Sequence, residues 1–260
     1  MKPSNISPQD NLWGITLGFL AVLLLGWEFA SGRDGVPGYF LGPVAIVSAA
    51  GEKLLHGEVL AQMLRSVSRA YVGFLIGGTV GVALGLLSGV SRTVRELFDV
   101  PQAFVHAIPK ISLFPAVAVW LGFSDSSRIL IIALSCFFPA YLSAMSGAIG
   151  INPRYLWLSR NNEAGPIRTF FQVVLPASLP RTLVGLRISL MVAFILMVAT
   201  EVAGHSDGLG SVVMLAYQDG NYRQMYAGIL MIALAGYMSN FALEKAAAWL
   251  CRGHNMEFGG

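Results

Sequence analysis

Six long runs of apolar residues constrain this chain more than any other feature of its sequence. They cover approximately residues 12–30, 71–90, 101–123, 129–149, 183–203 and 225–250. Each run approaches or exceeds the ~20 residues that an α-helix needs to cross the ~30 Å hydrocarbon core of a bilayer. None shows the alternation of polar and apolar residues that is typical of membrane β-strands. The runs therefore predict an all-α fold, a polytopic bundle of about six transmembrane helices.

The composition excludes the soluble classes of protein. Of the 260 residues, 55% are apolar and only 12% are charged, and the mean hydropathy is +0.65. Soluble domains carry roughly 25% charged residues, so this chain has too little charge to cover a water-soluble surface. Disorder is excluded as well, because disordered segments are poor in apolar residues. We expect a single transmembrane domain over residues 1–260, with the lipid bilayer as its solvent.

The positions of the basic residues predict the orientation of the chain. If the N-terminus is inside, eleven of the 17 lysines and arginines lie in inner segments and six in outer ones. Inner loops of membrane proteins are enriched in Lys and Arg, so both termini are expected in the cytoplasm and residues 31–62 outside. The basic residues stand singly between apolar runs, without the clusters that bind nucleic acid. We therefore expect no nucleic-acid partner.

Glycines recur at every fourth position of the second apolar run. They lie on one face of the predicted helix, at Gly73, Gly77, Gly81, Gly85 and Gly89. Small residues in this spacing let two helix backbones approach closely in a membrane. The stripe therefore predicts tight helix packing, and the alternative is a groove that lines a substrate path.

The third run is interrupted by prolines. Pro109 lies between Ile108 and Lys110, and a proline removes a backbone N–H and disturbs the preceding helical turn. Irregular backbone at membrane depth is tolerated only inside protein or beside a water-filled cavity. We therefore predict a broken helix with Lys110 facing water, either as a cation that reaches the headgroups or as a cation of a substrate pathway.

The sequence lacks the motifs of catalytic and metal-binding residues that would indicate an enzyme. The sequence has no phosphate-binding loop, no zinc-protease motif and no nucleophile elbow. Its four histidines are far apart, and Cys136 and Cys251 have no metal-ligand spacing. Glu201, near the outer end of the fifth run, either borders the mouth of a pathway or is neutralised locally. The chain itself is predicted to bind no cofactor and no metal and to hydrolyse no ATP.

The inner segment 152–180 is the longest cytoplasmic connection and is divided by prolines. Between the prolines, two short helical pieces combine apolar residues with a basic face formed by Arg154, Arg160 and Arg168. Such a piece either rests on the membrane surface or docks on a cytoplasmic partner. The spacing alone does not separate these two hypotheses.

Several short motifs are spread over the chain in a specific order. They are the segment 173–180 followed by Gly185-Leu186-Arg187, the segments 108–115 and 120–123, Phe138-Pro139-Ala140-Tyr141, Asn152-Pro153-Arg154, Glu201-Val202-Ala203-Gly204 and the segment 206–210. Together they resemble the ABC importer permeases of the sulfonate, nitrate, taurine and bicarbonate branch, and the first motif is similar to the end of the conserved cytoplasmic loop of that family. The resemblance covers about residues 57–250.

The cytoplasmic loop of that family carries a Glu-Ala-Ala triplet, a Gly and a terminal Leu-Pro. When the loop is aligned on Leu175-Pro176, Trp157, Leu158 and Ser159 occupy the triplet, and Glu163 occupies the Gly position. The tight turn that Gly serves in the family would then lie at Glu163 or move to Gly165. The resemblance assigns ATPase coupling to Leu156, Trp157, Leu158, Ser159, Arg160, Glu163, Ala164, Gly165 and Arg168.

The resemblance implies a type I importer permease fold with a cytoplasmic coupling helix, in a bacterial inner membrane. Its implied partners are two ATPase subunits that bind ATP and Mg, a periplasmic solute-binding protein and a second permease copy. Its implied cargo is a small anion such as a sulfonate, nitrate, bicarbonate or carboxylate, with Lys110, Pro109 and Glu201 as candidate pathway residues. The alternative function is a secondary transporter or channel that is not driven by ATP. Such a protein would need ionisable residues deep in its spans. Runs 71–90 and 129–149 and the part 225–243 of the last run are uncharged, and run 12–30 has only Glu28, near its end.

Overall fold

The computed structural model describes residues 8–55, 57–204 and 207–251, and every regular element in these ranges is helical. The helices are α1 (Pro8–Ser31), α2 (Pro43–Leu55), α3 (Gly57–Val90), α4 (Arg92–Ala107), α5 (Phe114–Leu121), α6 (Asp125–Ile149), α7 (Pro153–Asn161), α8 (Pro166–Thr169), α9 (Leu175–Gly204), α10 (Leu209–Gln218) and α11 (Tyr222–Leu250). A 3-10 turn, Lys110–Leu113, precedes α5, and a π-helical turn, Phe170–Val174, joins α8 to α9.

Five stretches of these helices are long and apolar enough to cross a membrane, namely Gly14–Ser31, Val59–Val90, Asp125–Ile149, Pro166–Gly204 and Tyr222–Leu250. The pair α4 and α5 adds a sixth when its two arms are taken as one bent span. The predicted all-α bundle of about six membrane helices is confirmed.

Some predicted boundaries were wrong. The second span was expected to start at residue 71, but α3 begins at Gly57, and the predicted outer loop 31–62 contains α2. Arg65 and Arg69 interrupt the apolar pattern of α3 without interrupting the helix, because carboxylates of other segments pair with them. In segment 152–180, the second helical piece is not separate, since α8 runs through the π-helical turn into α9.

Helices α3, α6 and α9 form the centre of the bundle. Their shared apolar cluster includes Phe74 of α3, Ile132 and Cys136 of α6, and Leu190 and Met197 of α9. Polar side chains also join α6 to α9, because the Ser189 hydroxyl donates a hydrogen bond to the Cys136 carbonyl oxygen at 2.8 Å. Such interhelical hydrogen bonds support packing in a medium where the hydrophobic effect is weak.

The glycine stripe of α3 lies against α6. A Cβ atom on Gly81 would lie 2.5 Å from the carbonyl oxygen of Phe137, closer than a real side chain approaches. The other four glycines of the stripe meet α6 with similar closeness, Gly73 at Ile132, Gly77 at Ala133, Gly85 at Tyr141 and Gly89 at Ala148. The stripe therefore serves the close backbone contact that its spacing predicts.

The span that contains α4 and α5 is bent. The arms Arg92–Ala107 and Lys110–Leu121 meet at 84°, and Ile108 and Pro109 between them are extended, with ψ of 128° and 108°. The break predicted at Ile108–Pro109–Lys110 is confirmed. Its cause is Pro109, which cannot continue the hydrogen-bond ladder and disfavours a helical conformation in the residue before it.

The remaining helices surround the centre. Residues of α2, α10 and α11 form a second apolar cluster that includes Ala49, Leu209 and Met231. Helix α1 joins the bundle through α2, where the Val44 amide donates to the Glu28 carboxylate at 3.0 Å. None of the membrane-spanning part of α1 is buried within the chain. Its apolar side chains are therefore available to lipid or to another subunit.

Candidate functional site

Two ends of the bundle carry the candidate functional groups. Helix α6 runs from Asp125 to Ile149 and α9 returns from Leu175 to Gly204. Helices α7 and α8 therefore lie at one end, which we name the α7 end, and the start of α10 lies at the other, the α10 end. The coupling residues predicted from the sequence are all at the α7 end.

Local hydrogen bonds fix the fold of the α7–α8 segment, residues 152–174. The Asn152 side chain accepts a hydrogen bond from the Arg154 amide at 3.0 Å and so starts α7. The hydroxyl groups of Ser159 and Thr169 lie 2.7 Å apart in a hydrogen bond that ties α7 to α8. Ser159 is buried, so this contact is protected from water. The segment is consequently a defined structural unit and not an irregular loop.

The turn after α7 lies at Glu163. This residue has φ of 52°, in the left-handed region that favours glycine, whereas Gly165 has φ of −63°. The Ala164 amide donates to the Ser159 carbonyl oxygen at 3.1 Å, the pattern of a Schellman helix end whose C′ residue is Glu163. The backbone thus keeps a glycine conformation at the position that the family motif assigns to Gly, and the turn has not moved to Gly165.

Several large apolar side chains of this segment are exposed. The exposed fractions are 67% for Trp157, 58% for Leu158, 75% for Ile167 and 62% for Phe171. Leu156, by contrast, packs inward against an apolar cluster that includes Leu86 and Val174. Of the three predicted apolar anchors, Trp157 and Leu158 are accessible to a partner, and Leu156 instead holds α7 to the bundle.

The other predicted coupling residues surround this apolar face. Ala164 is half-buried and Gly165 is exposed. Arg168 is exposed, and its Nε donates to Gln172 one turn later at 3.1 Å. Arg160 belongs to α7, and its side chain lies outside the described residues. Of the predicted coupling residues, Trp157, Leu158, Glu163, Gly165 and Arg168 are therefore exposed, whereas Leu156 and Ser159 are packed inward.

A cavity of about 890 Å³ separates the α7–α8 segment from the ends of α3, α4 and α6. Apolar side chains line most of it, including Leu87, Ile149, Ile167 and Phe171. The segment therefore packs against the bundle only in part, through residues such as Leu156, and the cavity occupies the rest of the space between them.

Lys110 lies beside the break in the bent span. Its ammonium donates to the carbonyl oxygen of His106 at 2.6 Å and lies 4.6 Å from the centre of the Phe138 ring. A smaller cavity of about 270 Å³ adjoins these residues and is bordered also by α9 at Val192 and Leu196. The arrangement combines one cation with apolar walls at the point where the helix is broken.

Sequence analysis missed an ionic network at the α10 end. Its centre is Arg69 of α3, only 2% exposed. The Arg69 guanidinium donates to Glu201 of α9 at 2.8 Å, to Asp207 at 2.6 Å and, through Nε, to Asp125 of α6 at 2.8 Å. Glu201 is wholly buried. Of the two interpretations of Glu201, this geometry favours local neutralisation over the lining of a pathway.

Asp207 is the second centre of the network. Its carboxylate accepts hydrogen bonds from Arg69, from Arg128 of α6 at 2.8 Å and from Arg65 of α3 at 3.3 Å. The network thus joins three arginines to three carboxylates, Asp125, Glu201 and Asp207. Since the charges balance, the network is neutral as a whole, as buried ionic groups generally must be.

A signal for this network was present in the sequence. Arg65, Arg69 and Arg128 adjoin long apolar runs, and charges at such positions are costly unless they are paired. Their partners lie up to 142 residues away along the chain, so the pairing itself could not be predicted. Within the described residues, no group of His, Cys, Asp and Glu side chains could hold a metal ion.

Comparisons with known proteins all point to membrane transport proteins. Residues 81–253 match the family model of the binding-protein-dependent transport system inner membrane component. A Bacillus subtilis protein named as an aliphatic sulfonates transport permease, SsuC, is 33% identical over 90% of this chain and 86% of its own. The taurine transport system permease protein TauC of Escherichia coli is 28% identical over 88% of this chain and 86% of its own.

A solved structure supports the fold. The MetNI methionine ABC transporter in an inward-facing conformation matches with a TM-score of 0.63 and 20% sequence identity, over 75% of this chain and 97% of that chain. At this identity the likeness concerns the fold alone. The two relatives are named as transport permeases, and the solved structure is that of an ABC transporter. Neither supports the alternative of a secondary transporter or channel.

Proposed function

The chain belongs to the binding-protein-dependent transport system inner membrane components, and from this premise we propose that it is the transmembrane subunit through which an ATP-binding-cassette importer moves a small organic sulfonate. We further propose that residues 1–260 act as one transmembrane permease domain with both termini in the cytoplasm. A periplasmic binding protein would deliver the solute, and ATP and Mg would bind to two partner ATPase subunits. A second copy of this chain would complete the pathway.

The observation that carries the substrate class is the 33% identity to the aliphatic sulfonates permease over 90% of the chain. Aliphatic sulfonates and taurine share a sulfonate group, which is negatively charged at neutral pH, on a short carbon chain. A pathway for such a solute needs positive potential together with apolar contacts. The surroundings of Lys110 offer both, because its ammonium lies beside a cavity of about 270 Å³ with mainly apolar walls.

The geometry of Lys110 supports a weak and reversible contact with the anion. An ammonium has three N–H donors, and the hydrogen bond from Lys110 to the His106 carbonyl oxygen uses one of them. The backbone is extended at Pro109, so Lys110 lies directly after the break between the two arms of the bent span. We propose that Lys110 and the bend at Pro109 lie on the route of the anion.

The exposed face of the α7–α8 segment supports docking of the ATPase. Trp157, Leu158, Ile167 and Phe171 present apolar surface at the α7 end, and aromatic residues often dominate the energy of protein interfaces. A segment resting on the membrane surface would also present apolar residues, and this is the competing hypothesis. The fixed turn at Glu163 and the Ser159–Thr169 hydrogen bond favour a rigid lever, as force transmission to the bundle requires.

Uptake by the assembled importer tests the proposed substrate. The permease is reconstituted in vesicles with its ATPase and binding protein, and uptake of an alkanesulfonate is compared with that of a neutral alcohol of equal chain length. We expect ATP-dependent uptake of the sulfonate only. Lys110→Met should reduce sulfonate uptake about tenfold, because a charge-assisted contact is lost.

Lys245→Met is the matched control for this experiment. Lys245 is also a lysine over an aromatic ring, 5.2 Å from the centre of Phe241, but it is exposed on α11 and does not line the cavity beside Lys110. Its replacement should leave uptake unchanged. Uptake of neutral or cationic solutes alone would reject the proposed substrate class, and equal uptake by the two variants would reject the role of Lys110.

A further inference from the structure

The ionic network at the α10 end joins α3, α6 and α9 to the start of α10. During transport these helices either separate from one another at this junction or stay together. We propose that Arg69 and Asp207 are positioning residues that clamp the first turn of α10 to α3, α6 and α9, so that these four helices move as one body during transport. The α4–α5 pair then moves relative to this body. The movement during transport rests on the proposed function, whereas the clamp itself can be measured in the permease alone.

The first argument is the completeness of the bonding around Arg69. Its Nε and both terminal nitrogens donate to carboxylates of Asp125 in α6, Glu201 in α9 and Asp207, two residues before α10. The side chains of Arg69 and Glu201 are 3% and 0% exposed. Separating these helices would leave buried charges without partners, which is strongly destabilising. The network therefore favours a junction that stays closed over one that opens in each cycle.

The second argument is the way in which the start of α10 is held. The first N–H groups of a helix have no partner within the helix, and here they donate to side chains of other elements. Gly208 donates to Gln62 at 2.7 Å, Leu209 to the Ser66 hydroxyl at 2.8 Å and Gly210 to the Glu201 carboxylate at 2.9 Å. A negative carboxylate at a helix N-terminus is favourable as well. Helix α10 is thus anchored by its backbone to both α3 and α9.

Gly208 shows how close this contact is. Its φ is 100°, and a Cβ atom at this position would overlap the carboxylate of Glu201. Only glycine combines the positive φ with so close an approach. The local backbone is therefore shaped around the buried Glu201 side chain.

The bent span provides the contrast. Its two arms meet at 84° across the extended residues Ile108 and Pro109, and hinges commonly consist of a few residues at the ends of helices. On α5, Val119 and Trp120 are 81% and 80% exposed, whereas Phe114 and Val117 pack against Ile131 of α6. The α4–α5 pair accordingly has a hinge and contacts the clamped body through an apolar face of α5, without the ionic bonds that join the other helices.

Hydrogen–deuterium exchange with mass spectrometry measures the clamp directly. In the wild-type importer, peptides covering residues 208–214 should be equally protected in the nucleotide-free and ATP-trapped states. Peptides covering residues 105–121, around the break, should change their protection between the two states. Loss of protection at residues 208–214 on ATP binding would overturn the proposal, because the junction would then open during the cycle.

Asp207→Asn tests the role of the charge in the permease alone. The substitution keeps the side-chain size and removes the carboxylate that three arginines share, so exchange of residues 208–214 should be about tenfold faster or more. Asp219→Asn is the matched control, since Asp219 is the exposed residue at the other end of α10. Unchanged exchange in Asp207→Asn would overturn the clamp whether or not the chain transports a sulfonate.

A transport readout separates positioning from general stability. In the assembled importer, Asp207→Asn should lower the amount of solute moved per ATP hydrolysed. A purely structural effect would reduce the amount of intact importer but leave this ratio unchanged, and that result would overturn the positioning role.

Discussion

At the scale of single residues, Glu163 is the position where the sequence and the backbone disagree. Its φ of 52° is a conformation that costs an L-residue roughly 1–2 kcal/mol. The side chain is exposed, so no burial offsets this cost. The motif alignment found the position, and the structure adds that its backbone still has the glycine conformation.

Glu163→Gly should therefore stabilise the chain. We expect a gain of about 1 kcal/mol in the free energy of unfolding, which for a chain of this size corresponds to a rise in Tm of about 2–4 °C. Thermal unfolding in detergent measures it. Glu163→Ala is the control, because it removes the same carboxylate and keeps the strained backbone. An equal gain in both variants would show that the charge and not the backbone is responsible.

At the scale of elements, replacing an exposed side chain of the α7–α8 segment distinguishes docking on the ATPase from contact with the membrane surface. Trp157→Ala should weaken the binding of the ATPase by about 2 kcal/mol, because a buried aromatic residue of that interface is lost, and should reduce solute-stimulated ATP hydrolysis. Pull-down of the ATPase by the permease and the rate of hydrolysis in vesicles measure the two effects.

Trp249→Ala is a closely matched control for this experiment. Trp249 is 65% exposed, against 67% for Trp157, and lies near the end of α11. It should tolerate the change with full coupling. Normal ATPase binding and coupling in Trp157→Ala would instead support the hypothesis that α7 rests on the lipid surface.

At the scale of the whole molecule, the count of spans and the distribution of charge bear on orientation. When the bent α4–α5 pair is counted as one span, six spans would put both termini on the same side of the membrane. If that side is the cytoplasm, eleven of the 17 basic residues lie on the inner side, as the enrichment of Lys and Arg in inner loops predicts. A phosphatase that is active only outside the membrane should be inactive when fused to the C-terminus and active when inserted after Gly38, between α1 and α2. The reverse pattern of activities would contradict the predicted topology.

Much of the architecture was predictable because its causes are local. Apolar runs of membrane length predicted the helices, Pro109 predicted the break, and the glycine spacing predicted that α3 packs closely against another helix. Each of these follows from neighbouring residues on one helix, where sequence separation and spatial separation are proportional. The distance from Leu175-Pro176 limited the turn to Glu163 or Gly165, and the backbone of the folded chain places it at Glu163.

Only the tertiary structure decided which residues meet across the bundle. Arg69 and Glu201 are 132 residues apart, and Arg69 and Asp207 are 138 apart, so no periodicity connects them. The anchoring of α10 depends on these pairs. The inward position of Leu156 depends on cluster partners from α3 and α6. The sequence by itself determined the helices and their breaks, since hydrophobicity and backbone restrictions act locally, whereas the partners of buried charges are chosen only when the helices come together.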